Sequence, residues 1–326
     1  MVANLPVTIA HDAIALGPVE VNFQRTLRIP ESGLHALPPG LGRFPLRRVA
    51  DYPDTAPKRW LALGGVMLPV YQREAMWLSF RSREPAAVQV GVGRVCAVSG
   101  QPWLEQLSQE PQNYLPVPRQ PWLDGINSGA GFIRQFVAVA LGLGATIEGQ
   151  VSGEEVDGGV QLRVVGLTAE ALADWRKKHS GGTGMRMAAY AAAPPTGSPA
   201  MGLGAGGRMR QQIYTDERSL LDYDQSRSWR VFVHLCSAAQ WTAITGELAP
   251  PTPIDRETYV KSGLPWFDYY DADAADLAPS EELAKVKPVG EVLGIDEEPF
   301  TPVSPNKVVQ LKDADDDDVA DGEGCS

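Results

Sequence analysis

Between positions 19 and 27 the chain alternates without a break. Val19, Val21, Phe23, Arg25 and Leu27 fall on one face of an extended strand, and Glu20, Asn22, Gln24 and Thr26 on the other. A period of two is the signature of a half-buried strand, because successive side chains leave a pleated backbone on opposite sides. Similar runs fill the first 165 residues. Val66–Val70 and residues 75–80 predict a pair of strands around Tyr71-Gln72-Arg73-Glu74. Residues 88–98 predict one strand with Val88, Val90, Val92, Cys96 and Val98 on one face, while Gly91 and Gly93 on the other permit a bulge or a close neighbour. A short strand is expected over 44–49, an irregular Pro- and Gln-rich connection over 102–121, and a strongly apolar strand over 132–141. Gly142-Leu143-Gly144 then turns the chain so that 146–151 returns antiparallel, and Gly158-Gly159 leads into a strand over 160–165.

Helical signals come later. Thr168 is a suitable N-cap for a helix over 169–179, with Leu172 and Trp175 on one face and basic residues in the last turn. Residues 190–207, rich in Ala, Pro and Gly, read as a mobile loop or a boundary. A strand over 230–236 leads into a helix over 237–245 ended by Gly246, and Asp255 and Ser280 are candidate caps for two more helices. Past residue 296, Pro and acidic residues dominate and no stable structure is expected. Strands first and helices later make this an α+β fold. Its strand-rich N-terminal half is read as a sandwich or partly closed barrel, with a few short helices in the C-terminal half and a disordered acidic tail. Residues 1–295 are expected to form a single compact body, with a possible sub-boundary near 166–207, and 296–326 the tail.

Charge supports that division. Residues 264–326 hold 17 acidic and 4 basic side chains, leaving residues 1–263 with 23 acidic and 25 basic. A nearly neutral body followed by an acidic tail disfavours nucleic acid and anionic membrane as partners, and suits the tail to a basic protein. Three cysteines (Cys96, Cys236 and Cys325) are too few and too scattered for a disulfide framework. The N-terminus lacks the charged and apolar regions of a signal peptide, and no apolar run is long enough to span a bilayer. The expected location is the cytoplasm.

Four groups of residues bear on chemistry. Gly202-Leu203-Gly204-Ala205-Gly206-Gly207 satisfies the glycine spacing of a dinucleotide loop, and Gly204, Gly207, Arg208 and Arg210 are its candidate ligand-binding residues. The Pro-rich stretch before it is not a central strand, so a flexible loop is the favoured reading. His234 and Cys236 share a strand face, the spacing of two metal ligands, but nothing completes a zinc site and a buried structural pair is preferred. Asp268 and Asp271, beside Trp266, have the residue types of a paired-carboxylate glycosidase, against a solvated acidic surface. Arg73, Glu74 and Trp77 cluster either as a sugar or peptide site or as a strand-end ion pair under a core Trp.

Three phrases, GGVMLPVYQREAMWLSF (64–80), GLGAGGRMRQQIY (202–214) and LPWFDYYD (264–271), resemble a family of conserved hypothetical proteins. With residues 120–141 the resemblance spans most of 19–290 and leaves out the tail. It implies one family-wide body and carries no activity, cofactor or catalytic residue. The sequence therefore favours a non-catalytic binding or interaction protein, taking an unknown protein or small molecule and needing no cofactor. The alternatives are a carboxylate-dependent hydrolase or sugar-active enzyme using Glu74, Asp268 or Asp271, and a nucleotide- or anion-binding protein using the Gly202–Arg210 segment.

Overall fold

The alternating segments become strands, and their apolar faces meet. The computed structural model describes residues 3–179, 200–250, 266–269, 275–295 and 308–311. The main strands are β1 (Ala13–Leu16), β2 (Val19–Thr26), β3 (Val66–Val70), β4 (Ala75–Ser82), β5 (Ala86–Val92), β6 (Leu115–Val117), β7 (Phe132–Ala140), β8 (Val160–Gly166), β9 (Met201–Arg210) and β10 (Arg227–Ser237). One antiparallel ladder runs β1-β2-β4-β7-β9. A second runs β6-β5-β8-β10-β3, antiparallel except for the parallel pair β10–β3. The two join where Met201 of β9 pairs with Leu235 of β10.

Alternate residues from strands of both ladders enter one apolar cluster. Val19, Val21 and Phe23 come from β2 and Met76, Leu78 and Phe80 from β4; Val88, Val90 and Val92 from β5 and Val160, Leu162 and Val164 from β8 belong to the same cluster. Each such buried side chain contributes roughly 1.5–3 kcal/mol. A slip of one residue would turn a strand's whole set to solvent, so the register is fixed.

The helices are short. Among the described residues the α-helices are α1 (Lys58–Leu63), α2 (Ile147–Ser152), α3 (Ala169–Lys178), α4 (Ala238–Thr245), α5 (Glu281–Ala284) and α6 (Val289–Leu293). Thr168, Ser237 and Ser280 cap α3, α4 and α5 through their side-chain oxygens, and left-handed Gly246 closes α4. Trp60 of α1 and Trp241 of α4 pack with Met67 and Cys236 on the outer face of β3 and β10. Val289 of α6 packs on Ala75, Val137 and Val139, the outer face of β4 and β7. Among the described residues no helix is long and apolar enough to cross a membrane.

Several expectations need correction. Residues 146–151 form α2 instead of a returning strand: the Thr146 hydroxyl accepts the N–H of Gly149, and the Glu155 carboxylate gathers the preceding turn at Gly142, Gly144 and Thr146. The strand beside β7 is β9, so residues 201–207 of the expected loop are strand, while 190–199 lie outside the described residues. Residues 88–98 make a hairpin, because Gly93 at φ +56° turns the chain and Val95–Cys96 pairs back on β5. Strands β3 and β4 lie in different ladders. Arg73 is left-handed (φ +64°) and the Glu74 carboxylate holds the N–H of Tyr71, which redirects the chain between them. The 44–49 strand shrinks to Arg47–Arg48, with Gly40–Arg43 before it. α1 and α2 lie in the half expected to hold strands, and α6 had no sequence signal. Within the stretch expected to lack structure, Val308–Leu311 pairs in parallel with Trp266–Tyr269. The Asp255 helix and the rest of the tail lie outside the described residues. Strands before residue 167 pair with strands after residue 200, β7 with β9 and β8 with β10.

Candidate functional site

Of the three clustered residues near position 74, each has its own surroundings. Glu74 is buried, and its Oε1 accepts from Arg25 Nε (2.8 Å) and Nη2 (2.6 Å), while Oε2 accepts the Tyr71 N–H at 3.0 Å. Burial raises its pKa against the pull of Arg25. Its partner is therefore a residue of β2 and not the adjacent Arg73. Trp77 is half-buried beside Gly40. Arg73 points elsewhere: its Nη2 lies 4.0 Å from Glu31 Oε1, and neither Nε nor Nη2 has a hydrogen-bond partner among the described residues. A non-glycine residue held left-handed costs about 1–2 kcal/mol, and here the Arg73 N–H bonds Ala138 O at 2.7 Å to fix it.

The glycine segment is not a phosphate loop. In β9 its glycines admit other chain segments: a Cβ on Gly207 would stand 1.8 Å from the Pro30 carbonyl oxygen, and one on Gly204 2.3 Å from Val289 Cγ2. The two arginines after it take different roles. Arg210 is exposed at the strand end. Arg208 stands directly opposite Arg134 of β7. Like charges at directly opposed positions destabilise a ladder by some tenths of a kcal/mol. Arg134 and Arg208 are both half-buried. Their hydrogen bonds are long and go to backbone, Arg134 Nη1 to Gly206 O at 3.4 Å and Arg208 Nε to Gly33 O at 3.3 Å. Arg208 also lies over the Phe132 ring at 5.5 Å. Burial and the facing Arg208 lower the pKa of Arg134, against the opposing influence of Glu291 and Glu31.

Those two carboxylates are already engaged. Glu31 accepts the N–H groups of Gly290 (2.7 Å) and Glu291 (3.2 Å), and Glu291 pairs with Lys287 at 2.8 Å. Arg73 thus stands near Glu31, Lys287 pairs with Glu291, and Arg134 and Arg208 face each other, so four cations share this region with two acids among the described residues. An arrangement of this kind is suited to an anion from outside, since a guanidinium offers a planar fork that matches a carboxylate or phosphate.

The other candidates separate cleanly. His234 Nε2 donates to Gly64 O (2.9 Å) and the ring stacks on Trp60 at 4.6 Å, while the Cys236 thiol donates to Leu68 O at 3.2 Å. Burial lowers the His234 pKa to about 4 and raises that of Cys236. Both are packed against the Trp60 cluster as a buried pair. Asp268 and Trp266 lie on a strand whose side chains are not described, and Asp271 lies outside the described residues. Arg134 and Glu31 escaped the sequence reading, for each looks ordinary until the register of β7 and β9 and the seat of α6 are known.

Asp124 escaped it too. It is buried, and it exchanges hydrogen bonds with Gln211: Gln211 Nε2 donates to Oδ2 (2.8 Å), and the Asp124 N–H donates to Gln211 Oε1 (3.1 Å). Burial raises its carboxyl pKa to about 7. The folded protein then binds a proton more tightly than the unfolded chain between about pH 4 and 7, so stability from this group falls as pH rises through that window. Three pH units correspond to a ceiling of roughly 4 kcal/mol. Urea denaturation at pH 5 and pH 8 is expected to show Asp124→Asn gaining on the wild type at the higher pH; parallel curves would show that the carboxyl titrates normally.

No family model matches the chain, and no curated protein or solved structure matches it.

Proposed function

We propose that this chain is a non-catalytic binding protein whose ligand presents a phosphate or carboxylate group to Arg134 and Arg208. The observation that carries the reading is the cross-strand arginine pair, half-buried and with no carboxylate within 4.0 Å among the described residues. A pair that costs stability without a ligand is accounted for by a ligand that neutralises it. A catalytic reading would require a free acid or base beside the pair, and Glu31 and Glu291 are both already bonded. The two ladders sharing one apolar cluster are read as the faces of a sandwich that joins at the Met201–Leu235 corner. The unpaired, buried thiols of Cys96 and Cys236 support a cytoplasmic setting, and the acidic C-terminal segment is assigned to a basic protein partner.

Isothermal titration with inorganic phosphate, sulfate and citrate at low ionic strength tests the reading. At least one of these is expected to bind, and Arg134→Gln or Arg208→Gln to weaken it about tenfold or more, the scale of about 1.4 kcal/mol for a lost charged contact. Absence of binding by all three, or equal binding by both variants, defeats it.

A further inference from the structure

The second ladder carries a different unneutralised arginine. Arg163 of β8 is fully buried, with 0% of its surface exposed. Its Nη1 donates to Gln89 Oε1 at 2.8 Å, but Nε and Nη2 have no hydrogen-bond partner among the described residues. A guanidinium does not shed its proton inside a protein, so burial cannot be relieved by neutralisation as it can for a lysine. An uncompensated buried charge is among the costliest features a fold can carry.

Its neighbours add to the imbalance. Arg230 of β10 stands directly opposite Arg163 across the ladder. Glu105, whose charge acts on Arg163, is bonded to Arg230 Nη1, and Arg230 Nη2 donates to Gln161. The chain segment 99–113 passes over this face. Gln89 pins it by donating to the carbonyls of Leu104 and Gln106. Trp103 of the same segment rests on Gly91, where an added Cβ would come within 2.5 Å of the ring. Gln89 and Gly91 alternate on β5 to the same side, and Gln89 pairs with Arg163. The Trp103 ring therefore lies on the face from which Arg163 projects, and its Nε1 is buried and also without a partner. Two donors of one face, one charged and one neutral, are left unanswered beneath a pinned segment.

We infer that this face holds a small monovalent anion of the halide class, bound by Arg163 and covered by the Trp103 segment. Full burial and the pinned cover favour a monatomic ion over a phosphate ester or a nucleotide. The site is independent of the Arg134–Arg208 pair, which lies on the other ladder and is half-buried.

Melting of the full chain in sodium bromide against sodium gluconate, at equal ionic strength, tests this. The wild type is expected to gain about 2 °C or more with bromide, saturating with concentration. Arg163→Gln is expected to lose that gain, and the double variant Arg134→Gln/Arg208→Gln to keep it. A wild type indifferent to bromide, or a gain that persists in Arg163→Gln, overturns the inference. Should Arg163→Gln fail to fold, anomalous scattering from bromide-soaked wild-type crystals decides. A peak at hydrogen-bond distance from Arg163 Nε or Nη2 supports the site, and a peak only elsewhere, or none, overturns it.

Discussion

Arg25→Met is expected to destabilise the protein by about 3–5 kcal/mol, because it strands the Glu74 carboxylate in the interior. The pair is almost completely enclosed, with 3% and 2% of the two side chains exposed. Arg25 also sits over Phe44, its Cζ 5.6 Å from the ring centre. Replacing both members removes the stranded charge, so Arg25→Met/Glu74→Gln is expected to recover most of the loss, with the glutamine oxygen still accepting the Tyr71 N–H. The single variant should also depend on pH. Without Arg25 the Glu74 carboxyl rises further above its unfolded value, so the stability it can contribute is present at low pH and lost as pH rises. The deficit of Arg25→Met should therefore shrink from pH 8 to pH 5 in urea titrations. A double variant that loses the sum of the two single losses would show that the two residues do not act as a pair.

Gly207→Ala is expected to cost about 3 kcal/mol or more, beyond the ordinary range for overpacking, because what it meets is main chain. Its Cβ would fall 1.8 Å from the Pro30 carbonyl oxygen and 2.9 Å from Ile29 Cγ1. The segment carrying those residues is itself tied down, since Gln135 Nε2 donates to Leu27 O and Gln135 Oε1 accepts the Ile29 N–H. Neither side can yield cheaply. Gly166→Ala supplies the contrast on β8: its Cβ would find its nearest neighbour at 3.6 Å, an ordinary contact with Trp229. That change is expected to be neutral or to stabilise slightly, by restricting the unfolded chain. Equal melting temperatures for the two alanine variants would refute this account of the glycine segment.

These two sites show where the sequence was readable. The alternation over 19–27 placed β2 within one residue of its end, the caps at Thr168 and Ser280 announced two helices through side chains that act locally, and Gly246 marked the end of a third. Pairing was not readable. Glu74 looked like the partner of adjacent Arg73 or a catalytic acid, but its cation comes from β2. The run from Gly202 to Gly207 looked like a loop because glycine is a poor strand former, and only the crossing of Pro30 and the seat of Val289 explain why side chains are missing there. Arg134 and Arg208 are unremarkable in sequence and become a site only through the register of β7 against β9.

That register makes the central claim testable in a single comparison. The melting temperature of Arg208→Gln should be measured beside the wild type, in buffer without multivalent anions and again with inorganic phosphate, sulfate or citrate, whichever binds in titration. An arginine pair kept for binding predicts that the variant melts at or above the wild type without the anion, because repulsion is relieved, and falls below it with the anion. A variant that melts below the wild type by the same margin in both conditions would contradict the account, and would make Arg208 a structural residue.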